Sequence, residues 1–233
     1  MSDLEIPGGP IATRPLHFIF VCDCSYSMAG EKIGSLNQAI REALPHMCDV
    51  AQSNPNAQLL VRAVRFSSGA QWHVSQPTPV EQFRWTDLHV EGQTDMGRAM
   101  HLLSDALKTP PMEQRALPPV LVLVSDGQPT DDFATGLKAL MDEPWGKKAV
   151  RIAIAIGDAD LDVLRRFIGH AELEPLVAHN APDLVRYIRW ASTAVVQAAS
   201  APASQSASAP PTSQNVPLPA APVTSPGSAN DVW

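Results

Sequence analysis

The fold is constrained most by a repeated alternation of apolar strand-like segments and amphipathic helix-like segments between residues 14 and 197. The segments 16–23, 118–127 and 149–157 are almost continuously apolar, which is typical of strands covered on both faces. Apolar residues between such segments recur at spacings of three and four, which indicates amphipathic helices. Strands that alternate with helices predict a mostly parallel sheet. We therefore predict one Rossmann-like, doubly wound α/β domain over 14–197, with helices on both faces of the sheet.

Weaker signals complete the predicted order of elements. A second strand is predicted over 58–66 and a third over 70–77, where Pro77 and Pro79 are expected to end it. Helices are predicted from the apolar spacing in residues 33–47, 96–107, 133–141 and 161–168, with a short strand near 175–179 and a last helix beginning at Pro182.

The composition changes abruptly near residue 197. The segment 198–233 is dominated by Ala, Pro and Ser, carries almost no charge and has no periodic apolar pattern. Ordering such a segment would cost more conformational entropy than its burial could recover. We predict a disordered tail over 198–233 and an N-terminal arm over 1–13. The terminal Trp233 is either a docking anchor for a partner, since aromatic residues are efficient interface anchors, or simply the last residue.

Composition and charge argue against several classes of protein. The 233 residues carry a formal net charge of −7 and no basic run, which argues against nucleic-acid binding. The first residues lack the layout of a secretory signal, and no apolar stretch reaches the roughly 20 residues of a membrane span. We expect a cytoplasmic protein without membrane contact. Cys22, Cys24 and Cys48 are predicted to be small buried hydrophobic residues rather than disulfide partners or metal ligands.

Hydroxyl and carboxylate side chains stand at three points where strands end or helices begin. Asp23, Ser25 and Ser27 follow the first strand at alternate positions, so an extended backbone would project all three the same way. Thr94 precedes a predicted helix, and Asp126 ends a later apolar strand. In open parallel sheets, ligands bind beyond the carboxyl ends of the strands, where the strand order reverses. These three segments are therefore predicted to form one site.

The donors of this predicted site are all oxygens, from two aspartates, two serines and a threonine. Oxygen donors without thiolate or imidazole favour a hard cation, Mg²⁺ or Mn²⁺. Three neutral hydroxyls and two carboxylates under-supply the charge that such a cation prefers. We therefore expect one coordination position to stay open to an acidic group from another molecule.

The same residues resemble a known motif. The segment Asp-Cys-Ser-Tyr-Ser that begins at Asp23 resembles the Asp-x-Ser-x-Ser motif of von Willebrand factor type A domains. Thr94 and Asp126 resemble the other two parts of the metal-ion-dependent adhesion site (MIDAS) of that family. The resemblance covers nearly all of the predicted domain. It implies that Ser25, Ser27 and Thr94 contact the metal, while the two aspartates help directly or through water.

Two longer phrases, "RPLHFIFVCDCSYSMAGEKI" and "LVSDGQPTDD", are most similar to the bacterial TerY-like subgroup of this family. That resemblance implies a cytosolic adaptor encoded beside a serine/threonine kinase and a PP2C-type phosphatase, in tellurium-resistance and related stress-response loci. The adaptor is expected to capture a Glu or Asp carboxylate of a partner protein.

The residues that flank the predicted ligands form a predicted rim for partner contact. Tyr26 stands where the family commonly has Gly, and it would place a bulky phenol ring beside the metal. The other predicted members of the rim are Met28, Gln93, Asp95 and Gln128.

Other interpretations of these residues stay open. An Asp-x-Ser-x-Ser segment alone is a common helix N-cap signal, and Asp126-Gly127 alone is a turn. Thr94 or Asp95 can cap the helix that follows, and Thr94 can do so while it also binds the metal. The alternative functions are a metal-dependent, phosphatase-like hydrolase and a scaffold that does not use the metal. We expect no enzymatic activity, because haloacid-dehalogenase-like phosphatases need a second aspartate where this chain has Ser25. The serine-hydrolase and phosphate-loop motifs are also absent from the sequence.

Overall fold

One sheet of six strands organises residues 13–201 and 218–222, the part of the chain that the computed structural model describes. The strands are β1 (Arg14–Asp23), β2 (Ala57–Ser67), β3 (Gly69–Pro79), β4 (Val120–Ser125), β5 (Val150–Ile156) and β6 (Leu176–Ala178). Their order across the sheet is β3-β2-β1-β4-β5-β6. All neighbouring pairs are parallel except β2 and β3. The predicted fold class is therefore confirmed.

Helices cover the sheet on both sides. The helices are α1 (Glu31–Ser53), α2 (Met96–Ala106), α3 (Phe133–Asp142), α4 (Pro144–Lys148), α5 (Leu161–Ile168) and α6 (Ala181–Ser200). The apolar spacing did not predict α4, which has only five residues. Among the described residues, none of these helices is long and apolar enough to cross a membrane.

Burial on both faces explains why the central strands are continuously apolar. In β1, Leu16, Phe18 and Phe20 belong to a core cluster shared with residues of α1 and α6. The alternate residues Ile19 and Val21 belong to a second cluster shared with α2, α3 and α5. All five side chains are fully buried. Burying a side chain of this size contributes about 1.5–3 kcal/mol relative to exposure, so β1 stabilises the fold through both faces.

The edge strand β3 is longer than predicted. It continues through Pro77 to Pro79, which pairs with Leu60 of β2. Proline has no N–H group to donate to a neighbouring strand. An edge strand has a neighbour on one side only, so it can accommodate proline. The prediction that Pro77 ends this strand is therefore wrong, whereas Pro79 is its last residue, as predicted.

The cysteines are free thiols in the folded domain. Cys22 and Cys24 are fully buried, and Cys48 is half-buried. Burial raises the pKa of the Cys24 thiol to about 12, which keeps it protonated and unsuited to metal ligation. The prediction of small buried hydrophobic residues is confirmed for Cys22 and Cys24.

A buried arginine binds backbone carbonyls and has no carboxylate partner among residues 13–201 and 218–222. Arg151 in β5 is 3% exposed, and burial lowers its pKa. Its guanidinium donates to the carbonyl oxygens of Phe167 at 2.7 Å and Gly146 at 3.0 Å. Phe167 lies in the last turn of α5, where carbonyls have no N–H partner within the helix. The Gly146 carbonyl in α4 also accepts from the N–H of Ala149 at 3.3 Å. Arg151 therefore ties both helices to the sheet.

The ends of the chain lie mostly beyond the described residues. Helix α6 continues past the predicted boundary at 197 to Ser200. Leu218 lies half-buried against the core cluster that contains α1 and α6. Trp233 and most of the predicted arm and tail lie outside the described ranges, so those domain boundaries stay predictions.

The strand order reverses at β1, and this reversal positions the site. β1 pairs with β2 on one side and with β4 on the other. Cys22 lies opposite Val124 in the register with β4, so Asp23 and Ser125 follow at the same edge of the sheet. The loops after β1 and β4 therefore meet where an open parallel sheet binds its ligands.

Candidate metal centre

The carboxylate of Asp23 joins the loops that follow β1 and β4. Asp23 is the last residue of β1 and is fully buried. Its Oδ1 accepts a hydrogen bond from the backbone N–H of Ser25 at 2.8 Å. Its Oδ2 accepts one from the hydroxyl of Ser125 at 2.5 Å. Both oxygens are thus oriented by the protein.

A chain of hydrogen bonds continues from the serines to the second aspartate. The Oγ atoms of Ser25 and Ser27 lie 2.9 Å apart. The Ser27 hydroxyl donates to Oδ1 of Asp126 at 2.7 Å. Ser25 and Asp126 are buried, whereas Ser27 is exposed. The site therefore faces solvent through Ser27.

The local backbone differs from the extended conformation expected for this segment. Tyr26–Met28 forms a 3-10 turn, closed by a hydrogen bond from the N–H of Met28 to the carbonyl of Ser25 at 3.0 Å. The two serine hydroxyls still converge. The N-cap position of α1 is Gly30, and no side chain caps that helix. Helix capping therefore does not explain the serines.

Thr94 lies beside Asp23, on the other side of the space next to Gly127. Thr94 is 6% exposed and directly precedes the N-cap residue of α2. A Cβ on Gly127 would lie 3.2 Å from Thr94 Oγ1 and 3.7 Å from Asp23 Oδ2. Both oxygens therefore lie around the space that the missing side chain of Gly127 leaves open. All five predicted ligands come together at this edge of the sheet.

Side-chain contacts that the sequence did not predict hold the loop that carries Thr94. Thr130 Oγ1 accepts from the N–H of Thr94 at 3.0 Å and donates to Oδ1 of Asp95 at 3.0 Å. The other oxygen of Asp95 accepts from the N–H of Gly69 at 2.7 Å. Asp131 accepts from two N–H groups in the first turn of α2, both at 2.8 Å. The only signal for these contacts was the polar run that follows Asp126 in the sequence.

Three of the five residues predicted for the rim are exposed, and the other two are not. Tyr26 is 70% exposed, the one large hydrophobic residue so exposed among residues 13–201 and 218–222, and Gln93 and Gln128 are also exposed. The placement of Met28 on the rim is wrong, because its side chain is fully buried in the core cluster with α1. Asp95 is half-buried, and its carboxylate braces two loops instead of facing outwards.

A lysine that the sequence analysis overlooked contributes a positive charge to the site. The Nζ atom of Lys32, in the first turn of α1, lies 2.5 Å from Oδ2 of Asp126 and 3.1 Å from the carbonyl oxygen of Ser27. Burial raises the pKa of Asp23, its bonds from Ser25 and Ser125 lower it, and the nearby Asp126 charge raises it. The site thus contains two carboxylates and one ammonium.

The chemistry of these donors fits a divalent cation. Within the described ranges, no group of three or more His, Cys, Asp and Glu side chains could hold a metal. The oxygens that converge here are instead three hydroxyls and two carboxylates, a set that suits a hard cation. The candidate ligands are Ser25, Ser27 and Thr94, with Asp23 and Asp126 beside them.

Fold and site together define an α/β domain whose strand-order reversal carries a hydroxyl-rich candidate cation site. A model of the von Willebrand factor type A domain matches residues 18–184. The chain therefore belongs to the von Willebrand factor type A domain family.

Solved structures with low sequence identity share this fold. A von Willebrand factor type A protein from Catenulispora acidiphila is 17% identical with a TM-score of 0.56, and the match covers 78% of this chain and 42% of that one. Proximal thread matrix protein 1 from the mussel byssus, with a zinc-occupied MIDAS motif, is 14% identical with a TM-score of 0.59, over 79% of this chain and 48% of that one. The pilus adhesin SpaC from Lactobacillus rhamnosus GG is 12% identical with a TM-score of 0.63, over 77% and 30%.

These neighbours show that the fold is shared. This chain spans less than half the length of each of the three structures. A divalent metal, zinc, occupies the MIDAS motif of the mussel protein. A comparison with curated proteins gave no significant match.

The space beside Gly127 makes a first prediction. Gly127→Ala would place a methyl group 3.2 Å from Thr94 Oγ1, which must then shift by a few tenths of an ångström. We expect the Mn²⁺ affinity, measured by electron paramagnetic resonance of the free ion, to fall about tenfold while the domain stays folded. Gly34→Ala on α1 is the matched control, because a Cβ there has open space. An unchanged affinity in Gly127→Ala would place the cation away from Thr94.

Proposed function

We propose that this chain is a cytoplasmic, non-catalytic adaptor that captures an acidic side chain of a partner protein at its MIDAS-type site. The observation that carries the proposal is the convergence of three hydroxyls and two carboxylates at one edge of the sheet. A divalent cation held there, Mg²⁺ or Mn²⁺ by our proposal, would supply a Lewis-acidic centre that a partner's Glu or Asp carboxylate completes.

The protein's own residues have distinct tasks in this proposal. Asp23 is buried and orients Ser25 and Ser125 through both of its oxygens. Ser27 is the exposed member, so a partner would approach from its side. Tyr26 stands next to it with 70% of its surface exposed and offers an aromatic contact. Specificity would come from this ring and from the exposed amides of Gln93 and Gln128.

The arrangement favours binding over catalysis. A phosphatase of the haloacid-dehalogenase type needs a second aspartate as acid and base, and Ser25 occupies that place. The hydroxyls of Ser25 and Ser27 are joined to each other and to Asp126, without a histidine base among these contacts. Neither serine is thus set up as an activated nucleophile.

The finer assignment follows from the resemblance of the sequence to the TerY-like subgroup. We infer a role beside a serine/threonine kinase and a PP2C-type phosphatase, in a tellurium-resistance or related stress-response system. One of these two proteins, or a substrate that they share, would supply the carboxylate. Trp233 is a second proposed contact, through the tail.

One observation favours a second candidate function, a scaffold that does not use the metal. The ammonium of Lys32 already contacts Asp126 and Ser27, so part of the negative charge in the site is neutralised by the protein itself. Metal dependence of ligand capture separates the two functions.

Acidic peptides test the proposed function directly. An array of peptides with a central Glu or Asp should retain the protein in Mg²⁺ and lose at least nine-tenths of it in excess chelator. The double variant Ser25→Ala, Ser27→Ala removes two of the three hydroxyls and should behave in Mg²⁺ as the wild type does in chelator. Ser75→Ala, on the exposed part of β3, is the matched control. Equal retention with and without chelator would favour the scaffold instead.

The ring of Tyr26 should contribute to partner capture without affecting the metal. Tyr26→Ala removes an exposed aromatic ring, and we expect a loss of about 2 kcal/mol in affinity for a retained peptide, roughly 30-fold. Its Mn²⁺ affinity should stay at the wild-type value, because the backbone of Tyr26 forms the turn. Tyr26→Phe separates the ring from the hydroxyl. A parallel loss of Mn²⁺ binding in Tyr26→Ala would mean that the ring supports the site rather than the partner.

A further inference from the structure

Lys32 contributes a positive charge to the site but is not one of the candidate metal ligands. Its ammonium contacts Asp126 Oδ2 at 2.5 Å and the carbonyl oxygen of Ser27 at 3.1 Å. The Lys32 side chain is 23% exposed, and the Asp126 side chain is fully buried. This is a mostly desolvated ion pair, in which charges interact more strongly than on the surface.

The position of Lys32 in its helix is unfavourable for a cation. It lies in the first turn of α1, at the positive end of the helix dipole. Gly157 is the first residue after β5, and a Cβ there would lie 3.8 Å from both Cε and Nζ of Lys32. The ammonium is therefore enclosed by the first turn of α1 and by the loops after β4 and β5. The contacts that hold it there come from the site, not from the helix.

The net charge of the site depends on this lysine. Two carboxylates and one ammonium give a single negative charge, so a site loaded with a divalent cation carries a single positive charge. Without the ammonium, the loaded site would be neutral. Lys32 therefore makes cation binding less favourable and leaves the loaded site attractive to an anion.

We propose that Lys32 is a specificity-determining residue that makes cation binding and carboxylate binding mutually dependent. The inference rests on the proposed function, because it assigns the partner's carboxylate the charge that balances the loaded site. By thermodynamic linkage, a carboxylate that raises the cation affinity is itself bound more tightly when the cation is present. The isolated domain would thus hold its cation weakly and the complex would hold it tightly.

Mn²⁺ titrations with and without acetate test this coupling in the full chain. Acetate serves as the carboxylate probe, and chloride at equal ionic strength is its control. The wild type should bind Mn²⁺ weakly in chloride and several-fold more tightly in acetate. Lys32→Met removes the charge but keeps a stem of similar length. It should bind Mn²⁺ at least tenfold more tightly in chloride, and acetate should no longer increase the affinity.

Three further variants make the result specific. Lys32→Arg keeps the charge and should restore the acetate effect. Lys138→Met is the matched control, since Lys138 is an exposed lysine that also pairs with a carboxylate, that of Asp142. It should bind Mn²⁺ as the wild type does. Lys32→Gln removes the charge but keeps a hydrogen-bond donor, and it carries the same test if Lys32→Met does not fold.

The outcomes separate this inference from the proposed function. If the charge-removing variants bind Mn²⁺ no more tightly than a wild type that responds to acetate, the role of Lys32 is wrong and the adaptor function stands. A second outcome is that these variants bind Mn²⁺ but the wild type does not bind it even in acetate. Lys32 then excludes the metal instead of coupling it to a carboxylate, and the protein is a scaffold that does not use the metal. If no form binds Mn²⁺, both proposals are overturned.

Discussion

Two hydrogen bonds to Asp23 hold together the loops on which the site depends. The carboxylate accepts from the N–H of Ser25 in the loop after β1 and from the hydroxyl of Ser125 at the end of β4. These strands are neighbours only because the order of the sheet reverses at β1. Because one carboxylate oxygen of Asp23 accepts from each loop, the carboxylate fixes the distance between the two loops. It is buried, where hydrogen bonds to a charged group are strong. Ser25 lies in hydrogen-bond contact with Ser27, whose hydroxyl donates to Asp126, so the polar contacts continue from Asp23 through both serines.

The fold was predictable because its determinants are local and repetitive. The central strands are apolar on both faces, and the helices show their apolar spacing in the sequence. The order and type of the elements could therefore be predicted, except for the five-residue α4 and the 3-10 turn at Tyr26–Met28. Features that depend on tertiary position were not predictable. Pro79 is tolerated in β3 only because that strand is at an edge, and Arg151 is buried only because helix-end carbonyls surround it. Neither fact is visible in a local pattern.

The site was partly predictable for the same reason. Each of its three segments has polar residues at a strand end or before a helix, and the rule for parallel sheets brings such segments together. The direction of individual side chains was not predictable. The 3-10 turn that buries Met28 while it exposes Tyr26 reverses the expectation for Met28. Lys32 escaped notice because a lysine in a helix has no distinctive spacing, and its contact with Asp126 joins residues 94 positions apart.

The central claim is that Ser25, Ser27 and Thr94 share one cation. Crystals of the full chain grown with Mn²⁺ test it most directly, through an anomalous difference map recorded near the manganese absorption edge. The account predicts one dominant peak within roughly 2.5 Å of all three hydroxyl oxygens. A dominant peak bound by other residues, or no peak here at saturating Mn²⁺, would contradict it.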